Sequence, residues 1–150
     1  IQFLGSGSYG SVYRVSETRV AKVMYRSAEA EVFEKLKSLG KKAPRMLPRP
    51  VKIVQHKDRY IIVREFLLNV VGAARIAVMY SLCRCLNDQD RDKLKTLSLS
   101  RRDIRNAKAF LNWTEKNKFS LCDIGYDYNW GIRPKTNELV LRDLSECEFR

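Results

Sequence analysis

Short apolar runs, bounded by polar or turn-forming residues, occupy the first half of the chain and predict β-strands. Three of these strands precede a helix and two follow it. The last two strands form a hairpin, because only a short polar segment separates them. The predicted strands are residues 1–4, 12–15, 19–23, 51–54 and 60–63.

The helix between the third and fourth strands has recognisable ends. Ser27 is a typical N-cap, and Gly40 is a typical residue at the end of a helix. The segment 41–50 contains three prolines and is predicted to be a loop. The apolar residues of the helix fall on one face, formed by Val32, Phe33, Leu36 and Leu39.

The second half of the chain has a mostly helical pattern. A turn over 133–138 precedes a short apolar strand at 139–141. Ser100 is a typical N-cap for the last of the predicted helices. These helices cover residues 73–86, 91–97 and 101–116, so the whole pattern predicts an α+β domain.

The formal net charge is +12, which suits an anionic partner such as a polyphosphate, a nucleic acid or an acidic protein surface. The basic residues are spread along the chain in small groups, without the interleaved aromatic residues typical of RNA binding. A nucleic-acid partner is therefore the weaker alternative. No apolar run approaches the roughly 18 residues needed to cross a membrane, so we expect no membrane partner.

The cysteine and histidine content argues against a metal centre and against hydrolase chemistry. The chain has four cysteines, but Cys83 and Cys85 lack the C-x-x-C spacing of zinc and redox sites. His56 is the single histidine, which argues against a Ser-His-Asp or Cys-His arrangement. Buried thiols in a reducing compartment are the expected state of the cysteines.

Three glycines near the start, in the sequence LGSGSYGSV, have the spacing G-x-G-x-x-G. Such glycines let backbone N–H groups approach a polyphosphate, but the same spacing also suits a tight turn that binds nothing. A dinucleotide-binding fold needs a helix directly after the glycines. Here Val12 and Tyr13 follow with strand character, which excludes that fold.

Taken in order along nearly the whole chain, these segments resemble the protein kinase superfamily. The glycine-rich loop of that family resembles LGSGSYGSV, its third strand resembles RVAKV, and its hinge resembles IIVREFLL. The catalytic loop resembles CDIGYDYNWGI, and the strand that ends in a metal-binding aspartate resembles ELVLRDLSE. The resemblance implies an N-lobe over 1–68, a hinge at about 64–69 and a reduced, mostly helical C-lobe over 70–150. The N-lobe of such a fold is a five-stranded antiparallel sheet with one helix.

The resemblance also implies ATP and Mg²⁺ as cofactors and gives each candidate residue a role. Lys22 would hold the phosphates with Glu29 as its ion-pair partner, and Asp123 would orient and deprotonate the acceptor hydroxyl. Asn129 and Asp143 would bind the metal through oxygen atoms. The nucleotide would contact Gly5, Gly7, Gly10, Val12, Ala21, Lys22, Glu65 and Leu67.

Some residues depart from the family pattern. Asp123 lies six residues before Asn129, one residue further than the family interval, and Ile124 occupies the expected position. Either Asp123 still serves across an insertion, or Asp127 replaces it, or the base is absent. The metal motif reads Asp-Leu-Ser instead of Asp-Phe-Gly. Only seven residues follow Asp143, so the segments that normally bind a peptide substrate are missing from these residues.

The sequence therefore predicts ATP-dependent phosphoryl transfer to a Ser or Thr hydroxyl of a protein. The departures keep open a second hypothesis, a pseudokinase that acts as a binding or inhibitory module on a partner kinase. Small kinase-like proteins with a short lower lobe are known from viruses and bacteriophages. The resemblance thus implies a cytoplasmic location, in the host cell if the protein is viral.

Overall fold

The computed structural model describes residues 1–7, 10–25, 27–70, 75, 79, 100–120, 127–144 and 147–150, with the backbone alone for Asp127. The helices predicted over 73–86 and 91–97 lie outside this part of the chain, apart from Arg75 and Met79, which are both helical. Within these ranges no helix has the length and apolar character needed to span a membrane.

Five strands form one antiparallel sheet, as the sequence predicts. They are β1 (Gln2–Gly7), β2 (Gly10–Arg14), β3 (Arg19–Met24), β4 (Pro50–His56) and β5 (Arg59–Glu65). The strand order is β1-β2-β3-β5-β4. Because successive side chains of a strand point to opposite faces, Val20, Lys22 and Met24 share one face of β3. Their partners on β5 are Arg64, Ile62 and Tyr60, and we call this side of the sheet the inner face.

Helix α1 (Ser27–Leu39) packs against the inner face of the sheet. Its buried residues Val32, Phe33 and Leu36 lie in one apolar cluster with Met24 of the sheet, as the helical spacing predicts. Burial of each such side chain contributes roughly 2 kcal/mol. Ser27, predicted as the N-cap, is the first residue of the helix itself. The helix ends at Leu39, and Gly40, with a φ of +55°, follows it and begins a 3-10 turn (Gly40–Lys42).

The second half combines a long helix with short strands in the part that the structure describes. The short elements are β6 (Leu68–Asn69), β7 (Phe119–Ser120), a 3-10 turn (Asp127–Asn129), β8 (Trp130–Ile132), β9 (Leu139–Leu141) and β10 (Glu148–Phe149). Helix α2 (Arg101–Asn117) begins after Ser100, whose side chain accepts a hydrogen bond from the N–H of Asp103, as an N-cap does. Strands β6, β8 and β9 form one sheet, and β7 pairs with β10. Strand β9 is the strand predicted at 139–141, whereas the mostly helical pattern did not predict β6, β7 or β10.

One hydrophobic core joins the two halves of the described chain. The cluster that contains Met24 and Phe33 also contains Phe110 and Trp130 from the second half. Met46 and Leu47 belong to it too, so the loop predicted over 41–50 is partly packed into the core. The shared core brings the end of β9 close to β3 and α1, and the candidate residues lie there.

Candidate functional site

Lys22 lies at the centre of the candidate site, on the inner face of β3. Its cross-strand neighbours are Val12 on β2 and Ile62 on β5. The Nζ atom of Lys22 lies 2.7 Å from Oε2 of Glu29 and 3.4 Å from Oδ1 of Asp143. A lysine at this depth needs ionic partners, because an unpaired buried charge is strongly destabilising. The predicted pairing of Lys22 with Glu29 is present.

Glu29 occupies the first turn of α1 and is buried. Burial raises the pKa of its carboxyl, the charge of Lys22 opposes that effect, and the charge of Asp143 adds to it. The backbone N–H of Leu144 donates a hydrogen bond of 3.4 Å to the second oxygen of Glu29. The other acidic residues of the helix, Glu31 and Glu34, are exposed. Glu29 is thus the one acidic residue of this helix whose side chain reaches Lys22.

Asn129 and Asp143 lie at the same end of the paired strands β8 and β9. The N–H of Arg142 donates a hydrogen bond of 2.6 Å to the carbonyl oxygen of Asn129, so the two candidate metal ligands are held on neighbouring segments. Asn129 is buried, whereas the side chain of Asp143 is 37% exposed. A carboxylate and an amide are the oxygen donors that Mg²⁺ accepts. These residue types fit a magnesium ion, and Asp123 lies outside the described residues.

The three glycines of the predicted glycine-rich loop differ in whether their position has room for a side chain. A Cβ built at Gly5 or Gly7 meets no described atom within 4 Å. Gly10 has a φ of +143°, and a Cβ there would lie 2.3 Å from the carbonyl oxygen of Val23. Gly10 is therefore required by the strand pair itself. The lack of side chains at Gly5 and Gly7 leaves open space beside the backbone, in which a phosphate group could approach it.

Strand alternation decides which neighbours of Lys22 share its face of β3. Ala21 precedes Lys22 directly, so its side chain points to the opposite face of β3 and does not share the inner face with Lys22. Val20 shares that face and is buried. The nucleotide contact of Ala21 stays a prediction, and the period of two in a strand adds Val20 as a residue on the face of Lys22. Val12 is on the same face as Lys22, as predicted from its position after the glycines.

The hinge residues Glu65 and Leu67 are held by contacts with the second half. Both carboxylate oxygens of Glu65 accept hydrogen bonds from the guanidinium of Arg133, at 2.9 and 3.0 Å. Leu67 is buried against Gly131, where an added Cβ would lie 2.7 Å from Cβ of Leu67. The side chain of Glu65 is therefore held in an ion pair, and its predicted contact with a nucleotide stays a prediction.

The turn between β8 and β9 carries a second ionic group. Glu138 is buried, and its carboxylate accepts hydrogen bonds from the guanidinium of Arg45 and, at 3.0 Å, from the amide of Asn106. These donors, and above all Arg45, lower the pKa of Glu138 to about 2. The contacts of Glu138 with Arg45 and Asn106 connect the turn between β8 and β9 to the loop before β4 and to α2. They thereby support the position of Arg133.

The comparisons with known proteins bear on the fold. No protein-family model and no curated protein matches the chain. The solved structure of vaccinia related kinase 3 matches with a TM-score of 0.58 and 13% sequence identity. The match covers 98% of this chain and 47% of the kinase, so the chain spans about half the length of that structure. The fold is kinase-like.

The kinase-like fold brings two arginines to the site that the sequence analysis did not assign. Arg64 lies on the inner face in register with Val20 and is buried, and its Nη1 donates a hydrogen bond of 3.1 Å to the carbonyl oxygen of Glu65. Burial, followed by the nearby charge of Arg142, lowers the pKa of Arg64 to about 10. Arg142 itself donates to Asn69 and to the carbonyl oxygen of Tyr128. An arginine inside the apolar run IIVREFLL was the available signal.

Proposed function

We propose that the chain binds a nucleoside triphosphate with Mg²⁺ and transfers its terminal phosphoryl group to a Ser or Thr hydroxyl of a protein. The observation that carries this proposal is the placement of Lys22 between Glu29 and Asp143. These residues come from β3, from α1 and from the segment after β9, within a fold similar to that of a protein kinase. ATP is the nucleotide that the resemblance implies.

Lys22 would supply positive charge to the phosphates. Its Nζ atom is fixed by Glu29, so the lysine loses little further side-chain freedom when an anion binds. The open space at Gly5 and Gly7 would let backbone N–H groups approach the same phosphates. Phosphoryl transfer depends mainly on such positioning and charge neutralisation.

Asn129 and Asp143 would hold the magnesium ion. The side chain of Asp143 is 37% exposed, and Lys22 lies close enough to limit repulsion between that carboxylate and phosphate oxygens. When bound, Mg²⁺ neutralises charge on the phosphates and orients them. The acceptor hydroxyl would be oriented by Asp123 or, in the alternative assignment, by Asp127, and both assignments rest on the sequence.

Incubation with labelled ATP or GTP, Mg²⁺ and a mixture of protein substrates tests the proposal. We expect phosphorylated protein from the wild type and at least about a hundredfold less from Lys22→Ala and from Asp143→Ala, because charge neutralisation is lost. Lys52→Ala is the matched control, since Lys52 is an exposed lysine on β4 of the same sheet. Activity that survives both site substitutions would refute the mechanism.

The second hypothesis, a binding module without turnover, predicts a different outcome of the same experiment. Nucleotide would then raise the melting temperature of the wild type, and Lys22→Ala would abolish that rise, but no labelled product would form. The Asp-Leu-Ser sequence at 143–145 motivates this alternative.

A further inference from the structure

Arg64 is a buried cation on the inner face that the proposed phosphoryl transfer does not use. Its side chain is 5% exposed, and it lies one strand away from Val20 and two residues from Ile62, the neighbour of Lys22. Its position is at the hinge end of β5, because Glu65 is the last residue of that strand. Along the inner face Arg64 thus lies two strand positions from the level of Lys22, on the side of the hinge.

The guanidinium of Arg64 has few hydrogen-bond acceptors in the described part of the protein. It is a planar fork of N–H donors. Among the described residues it donates one hydrogen bond, to the neutral carbonyl oxygen of Glu65, and forms no ion pair. Buried polar groups are almost always hydrogen-bonded, and a charged group left short of acceptors is especially costly. The remaining donors therefore call for acceptor atoms from a ligand.

The charged groups around Arg64 are engaged with other partners. Burial, followed by the charge of Arg142, lowers the pKa of Arg64, and the carboxylates of Glu29, Asp143 and Glu65 oppose that effect, in that order. Glu29 and Asp143 are both in contact with Lys22, and Glu65 is bound by Arg133. Among the described residues none of these three carboxylates accepts a hydrogen bond from Arg64, so part of its guanidinium is left without an acceptor there.

The proposed nucleotide would place its base at the hinge end of β5, beside the backbone of Glu65. Adenine carries an amino group at position 6, which is a donor and would face the donors of Arg64. Guanine carries an oxygen there, and with its N7 atom it forms the edge to which arginine binds through two hydrogen bonds. A site built from donors rejects a ligand that presents another donor, because its own groups are left unpaired.

We propose that Arg64 is a specificity-determining residue that selects a 6-oxopurine base, so that the site binds guanine nucleotides in preference to adenine nucleotides. This inference rests on the proposed function, since it assumes a nucleotide in the same site. The guanidinium would donate to O6 and N7 of the base while it keeps its contact with the carbonyl oxygen of Glu65.

Equilibrium binding of GTP, ITP and ATP, each with Mg²⁺, to the wild-type chain tests the inference. ITP carries the O6 and N7 atoms of guanine without its 2-amino group, so it isolates the edge that Arg64 would bind. We expect GTP and ITP to bind at least about tenfold more tightly than ATP. ATP binding equal to or tighter than GTP binding would overturn the inference and leave the proposed function intact. Binding of none of the three would instead refute the proposed function.

The variants Arg64→Met and Arg64→Lys connect the preference to the residue. Replacing a buried cation by an apolar side chain of similar size is often tolerated, and the wild-type ranking decides the inference even if Arg64→Met does not fold. We expect Arg64→Met to lose the preference for GTP and ITP, and Arg64→Lys to keep a smaller one. Arg59→Met is the matched control on β5, because Arg59 is exposed and distant from the hinge end. A preference for GTP that persists in Arg64→Met would overturn the assignment.

Discussion

The amine of Lys22 and the carboxylate of Glu29 form a buried ion pair of 2.7 Å, in which 8% and 3% of the two side chains are exposed. Seven positions separate the two residues, and the pair joins β3 to the first turn of α1. A buried pair of this kind adds little net stability, yet the loss of one partner leaves an uncompensated charge. The pair therefore couples the position of the helix to the charge state of the site.

The first prediction concerns this coupling. We expect Lys22→Met to lower the free energy of unfolding by about 3 kcal/mol, because it leaves the carboxylate of Glu29 buried and without its main counter-charge. The double variant Lys22→Met, Glu29→Leu removes both charges and is expected to recover most of that loss. Urea unfolding of the single and double variants measures the coupling. If the double variant loses as much stability as the Lys22→Met and Glu29→Leu single variants together, the two residues are not coupled.

The second prediction compares two glycines of the same strand pair. Gly7→Val is expected to leave the melting temperature nearly unchanged, since its Cβ meets open space, and to weaken nucleotide binding. Gly10→Val is expected to lose about 2 kcal/mol of stability, because of its left-handed φ and its contact with the carbonyl of Val23. Thermal melting with and without the best-binding nucleotide measures both effects. Undiminished nucleotide binding in Gly7→Val would remove the phosphate role of this loop.

The third prediction concerns the contact between the hinge and β8. A Cβ at Gly131 would lie 2.7 Å from Cβ of Leu67, so we expect Gly131→Ala to cost about 2 kcal/mol. Adding Leu67→Ala should not restore stability, because alanine keeps the Cβ that clashes. Leu67→Gly removes that Cβ but also a buried side chain, so we expect it to cost less stability in the Gly131→Ala background than in the wild type. Chemical unfolding of the single and double variants measures this difference, and equal stability of Gly131→Ala and wild type would contradict the close packing.

The fourth prediction is a pH dependence from Glu138. Its pKa of about 2 in the folded protein lies below its ordinary value of 4.5. The folded state thus binds fewer protons than the unfolded state between these values, and its stability falls as the pH falls from 4.5 to 2. The Glu138→Gln variant has no carboxylate at this position that could be protonated. Its loss of stability relative to the wild type should therefore be largest at neutral pH and shrink toward pH 2.

Unfolding free energies across this pH range, for wild type and Glu138→Gln, measure the effect of Glu138. Glu31→Gln serves as the control, because Glu31 is an exposed residue of α1. A deficit of Glu138→Gln that stays constant with pH would show that the Glu138 carboxylate does not carry the expected stabilisation.

The strands and helices were the most predictable part of the structure. The five-stranded sheet, the apolar face of α1 and the cap at Ser100 all follow from patterns of a few neighbouring residues, which is the distance over which such patterns act. The apolar residues Met46 and Leu47, by contrast, lie in a proline-rich loop without periodicity. Their burial depends on the core that other segments supply.

The residues of the candidate site that a sequence motif names could be predicted, whereas a residue that only the geometry of the sheet places was not predicted. Lys22 and Glu29 were found from motif and spacing, and the structure brings them together. Val20 was not named, although both it and Ala21 are buried, because only the alternation of side chains along β3 places it on the face of Lys22. The group of Arg45 and Glu138 spans 93 positions, and one sequence without an alignment carries no signal for a contact of that length.

The contact of Lys22 with Asp143 has a consequence for the order of folding. It joins residues that are 121 positions apart, and contacts of such length form slowly because a large loop must close first. During synthesis Lys22 and Glu29 leave the ribosome before Asp143, which joins them only after residue 143 has been made. A ligand that needs all three residues can therefore stabilise only chains that extend past residue 143, and its binding distinguishes these from every shorter intermediate.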